Sequence, residues 1–374
     1  MTITIVAIVA IKISMVNRHI ELNHRIYYYQ MIVGFCNPLL DATMPCDAAY
    51  LAKWNLKNDD AILADSTYQP LINEVVEACG NNLQCGGAIQ NSLVMAQWFL
   101  QQPGATVMVG AVGDDPNKDL LQKIVEGYGV KTLYQVLSGD FTGCSAILVC
   151  DGNRSIVASV AASSRFDFSR WDTPEVLAAV KNAKVIFMST FFLRSSALTG
   201  ISVAAECQAH KVAFAFSLSS PSAIESEAWP ALKECYRLST IVFGNETEAL
   251  CIGKCLGILP KDADETNVNF NNLAKQLAEW ENPVNDRIFV ITRGKDPTIA
   301  CKKGESPISV PVLELEKSKI VDTNGAGDSF AGGFLAEYVK GSDLKRCIEA
   351  GSYVAWNNLQ QPGCTQPSQK PNFK

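Results

Sequence analysis

The strongest constraint on how this chain can fold is a repeated alternation. Short apolar runs rich in β-branched residues are each followed by a longer stretch with helical period. The runs fall at 106–112, 184–189, 212–216, 240–243 and 287–292. Between them, 174–182, 196–209 and 270–281 carry apolar residues at helical spacing, and two more such stretches close the chain near 326–340 and 343–358. A strand that is apolar at every position offers no polar face to water, so both of its faces must be covered. Strand–helix–strand order therefore predicts an α/β fold: a mainly parallel central sheet flanked by helices, of Rossmann-like type.

A second texture interrupts the first. Residues 41–85 and 139–163 hold shorter strand-like pieces (61–64, 144–150, 155–160) around turn residues such as Asp151-Gly152-Asn153. Alternation along 155–160 puts Ile156, Ala158 and Val160 on one face. The expected organisation is a large α/β domain of 31–40, 86–138 and 164–374, with the two inserts, 41–85 and 139–163, pairing as a small β-sheet lid. Residues 1–30 read as a poorly ordered extension. Their apolar run is broken at Lys12, well short of the roughly 20 residues that cross a bilayer, and it lacks the positive start of a signal peptide.

Composition narrows the chemistry. A net charge of −6 without any block of like charges argues against a partner held through a phosphate backbone, so no nucleic acid is expected. The 13 cysteines include no Cys-x-x-Cys spacing and read as free thiols of a reducing cytosol. Only three histidines are present, two of them (His19, His24) in the extension, which leaves a carboxylate as the expected catalytic base. The P-loop, the Gly-x-Gly-x-x-Gly fingerprint after a first strand and the Gly-x-Ser-x-Gly elbow are all missing.

Five segments could carry chemistry. In Asp322-Thr323-Asn324-Gly325-Ala326-Gly327-Asp328 two glycines precede an apolar helix, whose free first-turn amides favour an anion. Asp328, inside that cradle, could accept a proton from an attacking hydroxyl, or could simply be an acid at a helix start. Gly86-Gly87 open another helix, with Asn91 offering a donor and an acceptor to a sugar, or are simply a hinge before it. Asn245 and Glu248, three residues apart, could hold Mg²⁺ through its waters or form a capping box. Asn37 and Asp41 could take both hydroxyls of a cis-diol, or mark a turn. Thr292 to Asp296 ends a strand and could lie along a nucleotide.

On these residues the chain resembles the ribokinase superfamily of carbohydrate and nucleoside kinases and, within it, the eukaryotic adenosine kinase family. The C-terminal signature stands complete as Asp322 to Asp328, and the Asn-x-x-Glu motif as Asn245 and Glu248. More specific are Asn37 to Asp41, Gly86-Gly87 with Gln90-Asn91-Ser92, Asp151 to Ser155, Phe191-Phe192-Leu193 and Gly363-Cys364-Thr365, all in the family's order. The resemblance implies transfer of the terminal phosphoryl group of ATP to the 5′-hydroxyl of adenosine, with Mg²⁺. It implies Asp328 as base and Gly325, Ala326 and Gly327 as anion hole. Asp41, Gly87 and Asn91, with Asn37 and Gly86, would hold ribose, and Leu63, Ile156, Ala158, Val160 and Phe192 would surround the purine. Arg154, Asn245, Thr292 and Gly294 would meet ATP, with Glu248 on the metal side. It further implies a monomer in the cytoplasm, a nuclear fraction being compatible with it. Ala61 stands where the family commonly has glutamine, and Cys85 where it has alanine. Another nucleoside or a free sugar as acceptor stays open, as does a silent nucleoside-binding protein.

Overall fold

The computed structural model describes residues 32–58, 61–80, 82–151, 153–167, 173–281 and 286–374; the expectation for 1–30 lies outside the described residues. Nine strands form the main sheet, in the order β14-β13-β12-β11-β10-β9-β1-β5-β6. They are β1 (Ile32–Phe35), β5 (Thr106–Gly113), β6 (Lys131–Leu137), β9 (Val185–Ser189), β10 (Ala213–Ser217), β11 (Ile241–Asn245), β12 (Ile288–Arg293), β13 (Asp296–Lys302) and β14 (Ile308–Val310). Pairing is parallel from β12 across to β6, and antiparallel where β13 and β14 extend the edge.

Five further strands, β2 (Leu39–Pro45), β3 (Ala61–Leu63), β4 (Gln84–Gly86), β7 (Gly143–Cys150) and β8 (Asn153–Ser159), make a second sheet in the order β3-β8-β7-β2-β4. In chain order the helices are α1 (Ala48–Lys53), α2 (Gln69–Cys79), α3 (Ala88–Leu100), α4 (Pro116–Gly127), α5 (Pro174–Asn182) and α6 (Thr190–His210). They continue as α7 (Pro221–Ile224), α8 (Trp229–Leu238), α9 (Glu246–Cys255), α10 (Phe270–Glu279), α11 (Ala326–Tyr338) and α12 (Leu344–Asn358).

Successive residues of the central strands serve two different cores, as strands covered on both faces must. Val185 and Phe187 join Leu93, Phe330 and Phe334 on one side of the sheet. Ile186 and Met188 join Val203, Leu232 and Leu273 on the other. The first core runs on beneath the small sheet, where Leu40, Ala42, Ala146, Leu148 and Val157 meet Leu71, Ile72 and Val75 of α2. Helix α6 begins six residues before the sequence reading, because Ser196 is non-helical (φ −142°, ψ 53°) and divides it. Arg287, completely buried before β12, donates to the carbonyls of Tyr236, Arg237, Leu277 and Trp280. Its charge thus caps the C-terminal ends of α8 and α10.

Candidate active site

The site lies beyond the carboxyl ends of the parallel strands, where open α/β sheets bind ligands. Helix α11 starts there because Gly325 takes a left-handed conformation (φ 71°, ψ 7°) that a side chain would strain. Asp328 therefore falls in the first turn. One turn on, Gly332 touches α3 closely: a Cβ on it would stand 2.4 Å from the carbonyl oxygen of Ser92. That close crossing aligns the next residue up, Asn91, with Asp328, and Asn91 Nδ2 donates to Asp328 Oδ2 at 3.0 Å. Cys364 fills the space below, within 2.9 Å of where a Cβ on Gly325 would sit.

Asp41 comes from β2. Its carboxylate occupies the space above Gly86 of β4, where a Cβ would be 2.1 Å from Asp41 Oδ1. Gly87 is needed for a different reason: φ is +98°, and a Cβ would be 2.5 Å from the Asn37 carbonyl oxygen. Asn37 follows β1, donating from Nδ2 to Phe191 O and accepting at Oδ1 from Ser195, both at 3.2 Å. Register across the small sheet puts Asp41, Ser145, Ala158 and Leu63 in one row on its face away from α2. Ile147 and Ile156 form part of the next row and Arg154 lies in the one after. Ser145 hydrogen-bonds Asp41, and Leu63 is 53% exposed. That face therefore runs from a carboxylate through apolar groups to a guanidinium.

Three acids in the site are perturbed upward. Asp328 is raised to about 6, chiefly by burial and further by the charge of Asp41, with the Asn91 hydrogen bond opposing. Burial likewise raises Asp41 to about 6, opposed by Ser145 and Arg154. Glu248 is raised to about 7 by burial and by the charge of Asp328, against a hydrogen bond from Asn245. The cluster is ready to receive donors or a cation. Two polar atoms beside it, Asn91 Oδ1 and Arg154 Nη1, are buried without a protein partner among the described residues.

Arg154 pairs through its other nitrogen with Asp322, which also accepts from the backbone N–H of Gly363 at 2.6 Å and of Asn324 at 2.9 Å. On the neighbouring strand ends, Asn245 caps α9 in a complete capping box with Glu248. Thr292 stands opposite Asn245 in register, and Gly294 turns the β12–β13 hairpin with φ +56° and open space around it. In the α11 turn the amide of Ala326 donates to Thr323 O at 3.3 Å, with Gly325 beside it and Gly327 exposed.

Two expectations need correction. Phe192 packs into the core and not onto an open face: it is 0% exposed, edge-on to Phe35 and Phe166. Helix α6 turns Phe191 outward instead, 40% exposed. Val160 does not continue the alternation, since β8 ends at Ser159 and Val160 begins a 3-10 turn. Sequence reasoning also missed Ser145, the hydroxyl in an otherwise apolar strand, and the roles of Asp322 and Cys364 behind the glycine turn.

A family model described as pfkB family carbohydrate kinase matches residues 48–371, and the chain belongs to that family. It is a phosphotransferase acting on a hydroxyl group. Among relatives, the chain is 34% identical to adenosine kinase 1 of Arabidopsis thaliana over 92% of this chain and 97% of that one. It is 32% identical to adenosine kinase of Dictyostelium discoideum over 90% and 97%. The structure of Anopheles gambiae adenosine kinase in complex with P1,P4-di(adenosine-5) tetraphosphate superimposes with a TM-score of 0.82 at 33% identity, covering 92% of this chain and 99% of that one. Adenosine kinase from Schistosoma mansoni in complex with 2-fluoroadenosine gives 0.81 at 28%, covering 91% and 98%. Among the described residues no helix is long and apolar enough to cross a membrane.

Proposed function

We infer that this chain is an adenosine kinase, transferring the terminal phosphoryl group of ATP to the 5′-hydroxyl of adenosine. The observation that carries the reading is Asp328: a carboxylate raised to about 6, held by Asn91 at 3.0 Å, in the first turn of a helix whose leading amides lie beside it. A base must be unprotonated when substrate arrives and accept a proton as the new bond forms, and this value suits both near neutral pH. The amides of Gly325, Ala326 and Gly327 stabilise charge on the phosphoryl group in transit, and the fixed dipole of α11 adds to them.

Asp41, with Asn37, Gly86, Gly87 and Asn91, takes the ribose hydroxyls; the free Oδ1 of Asn91 is an acceptor suited to one of them. Leu63, Ile156 and Ala158 on the small sheet cover the base, and Phe191 replaces Phe192 in this role. The small sheet, whose strands β2 and β4 reach from Leu39 and to Gly86 just beyond the expected insert 41–85, acts as a lid that brings Arg154 over the phosphates and excludes water. Asn245, Thr292 and Gly294 line the ATP side.

The acidic cluster also fits a divalent cation. Glu248 is buried, raised to about 7 and repelled by Asp328, a strain that positive charge between them would relieve. Glu248 would hold Mg²⁺ through water, and the ion, when bound, neutralises phosphate charge. An acceptor panel tests the reading. Adenosine, inosine, guanosine and ribose are each incubated with radiolabelled ATP and Mg²⁺, and AMP from adenosine should dominate. Preference for another acceptor overturns the substrate; binding of adenosine without product overturns the activity.

A further inference from the structure

In the second half of α9, beginning one turn beyond Glu248, three metal-ligating groups converge that the proposed kinase reaction does not use. Cys251 and Cys255 are four residues apart on α9, so their thiols share one face of the helix. Glu225, the residue that ends the short helix α7, faces them. The two sulfurs and a carboxylate oxygen all lie within 4.8 Å of one another, and this is the one such group of three among the described residues. Cys251 is within hydrogen-bonding reach of both Cys255 and Glu225, and its Sγ lies 3.7 Å from the carbonyl oxygen of Pro221. Cys251 is buried, Cys255 half-buried and Glu225 exposed, so the cluster opens to solvent on the carboxylate side.

Geometry selects among the uses of a thiol pair. Residues four apart on a helix keep their Cβ atoms about 5–6 Å apart, whereas a disulfide needs about 3.5–4.5 Å. Oxidation to a disulfide would unwind the helix. A metal ion, with metal–sulfur bonds of about 2.3 Å, spans the gap without moving the backbone. Two thiolates choose a borderline-to-soft ion, and the carboxylate favours a divalent one over Cu(I). We propose that Cys251, Cys255 and Glu225 form a binding site for a zinc-class divalent cation, with water or the Pro221 carbonyl completing four ligands. On binding, two S–H bonds break, two metal–sulfur bonds form and two protons leave to solvent; nothing is oxidised or reduced. Because each thiol must lose its proton to bind, binding strengthens as pH rises.

The test uses the full reduced chain without ATP or Mg²⁺, titrated with Co²⁺ and then back-titrated with Zn²⁺. One equivalent of Co²⁺ should give thiolate-to-cobalt charge-transfer absorption with tetrahedral d–d bands, bleached by one equivalent of Zn²⁺, with about two protons released per ion. Cys255→Ser and Glu225→Gln lie at accessible positions, and each should weaken Co²⁺ binding by at least about tenfold, the lower range for disturbing even an outer partner of a metal. Cys46→Ser is the control, because Cys46 also neighbours Cys150 but belongs to no group of three. Thermal unfolding of each variant checks that the fold persists. The proposal is overturned if the wild-type chain shows no thiolate band. It is equally overturned if Cys255→Ser and Glu225→Gln bind Co²⁺ as the wild type does, or if Cys46→Ser is the variant that loses the band.

Discussion

Replacing Asn91 with alanine removes the amide that donates to Asp328 and tests whether that carboxylate is the group that takes the acceptor's proton. A hydrogen bond to an ionised group is worth about 1.5–3 kcal/mol, and one pKa unit corresponds to about 1.36 kcal/mol. Losing the bond therefore raises Asp328 above its value of about 6. A base works only when unprotonated, so activity disappears as pH falls through its pKa. The acid limb of kcat/KM should move up by roughly one to two pH units in Asn91→Ala. Asp41→Asn pulls the other way, since the charge of Asp41 raises Asp328 and neutralising it lets the limb fall. Asp41 itself titrates near 6, so the wild-type limb belongs to the pair, and the opposed displacements identify the member that matters. The assay is kcat/KM for adenosine across about pH 5 to 8.5, read as the midpoint of the limb, because both variants also lose ribose contacts. A midpoint that stays put in Asn91→Ala, or moves the same way in both variants, refutes the assignment of Asp328.

Asp328→Asn should lower turnover by about 10²–10⁴-fold while leaving adenosine affinity, measured by calorimetry, nearly unchanged. The same variant should be more stable without ligand: an acid raised when folded costs stability above its unfolded pKa of 3.8, increasingly as pH rises to about 6. The gain should be on the order of 1–3 kcal/mol at pH 7.5 and vanish towards pH 4, seen by thermal unfolding at both. In Gly86→Ala the new methyl would displace the Asp41 carboxylate, raising the KM for adenosine by about 10–100-fold while the KM for ATP holds. Gly332→Ala forces α3 and α11 apart at Ser92, costing about 1–3 kcal/mol in denaturant unfolding and about 10²-fold in turnover through a misplaced base. A Gly332→Ala enzyme with normal kcat would show that this crossing does not set the site.

The parallel sheet was legible because its central strands carry unbroken apolar runs: 184–189 and 212–216 anticipate β9 and β10 to within one residue at each end, whereas β6, interrupted by Lys131, Thr132 and Gln135, was not read as a strand. The antiparallel edge was not, since β13 opens on Asp296-Pro297 and β14 has three residues, too little pattern to separate from loop. The kink at Ser196 hid the first turns of α6, and with them the direction of Phe191 and Phe192. An aromatic pair on a helix shows only that the two diverge; which enters the core depends on Phe35 and Phe166, distant in sequence. The glycines of the site were visible as glycines, but Gly86 and Gly332 are required by contacts to Asp41 and Ser92 that only tertiary structure supplies.

Two arginines show how differently the fold treats one chemical group. Arg287 is wholly interior, and its guanidinium is spent on carbonyls of helix ends and on the ring of Tyr236, 4.3 Å away. Arg154 is bound on one side to Asp322 and left with Nη1 unpartnered. An unmet buried donor costs about 1–3 kcal/mol, more for a charged group, so a fold tolerates it where something else completes it. Asn91 Oδ1 and Asn358 Oδ1 are unmet in the same neighbourhood, Asn358 donating to the carbonyl of Asn324 in the loop that leads to Gly325. Three acids above their ordinary range add to that local cost. Of the four buried side-chain atoms without a partner among the described residues, three gather here, Trp54 Nε1 being the other, and such a concentration of broken local rules is what a site built for a polar, multiply charged ligand requires.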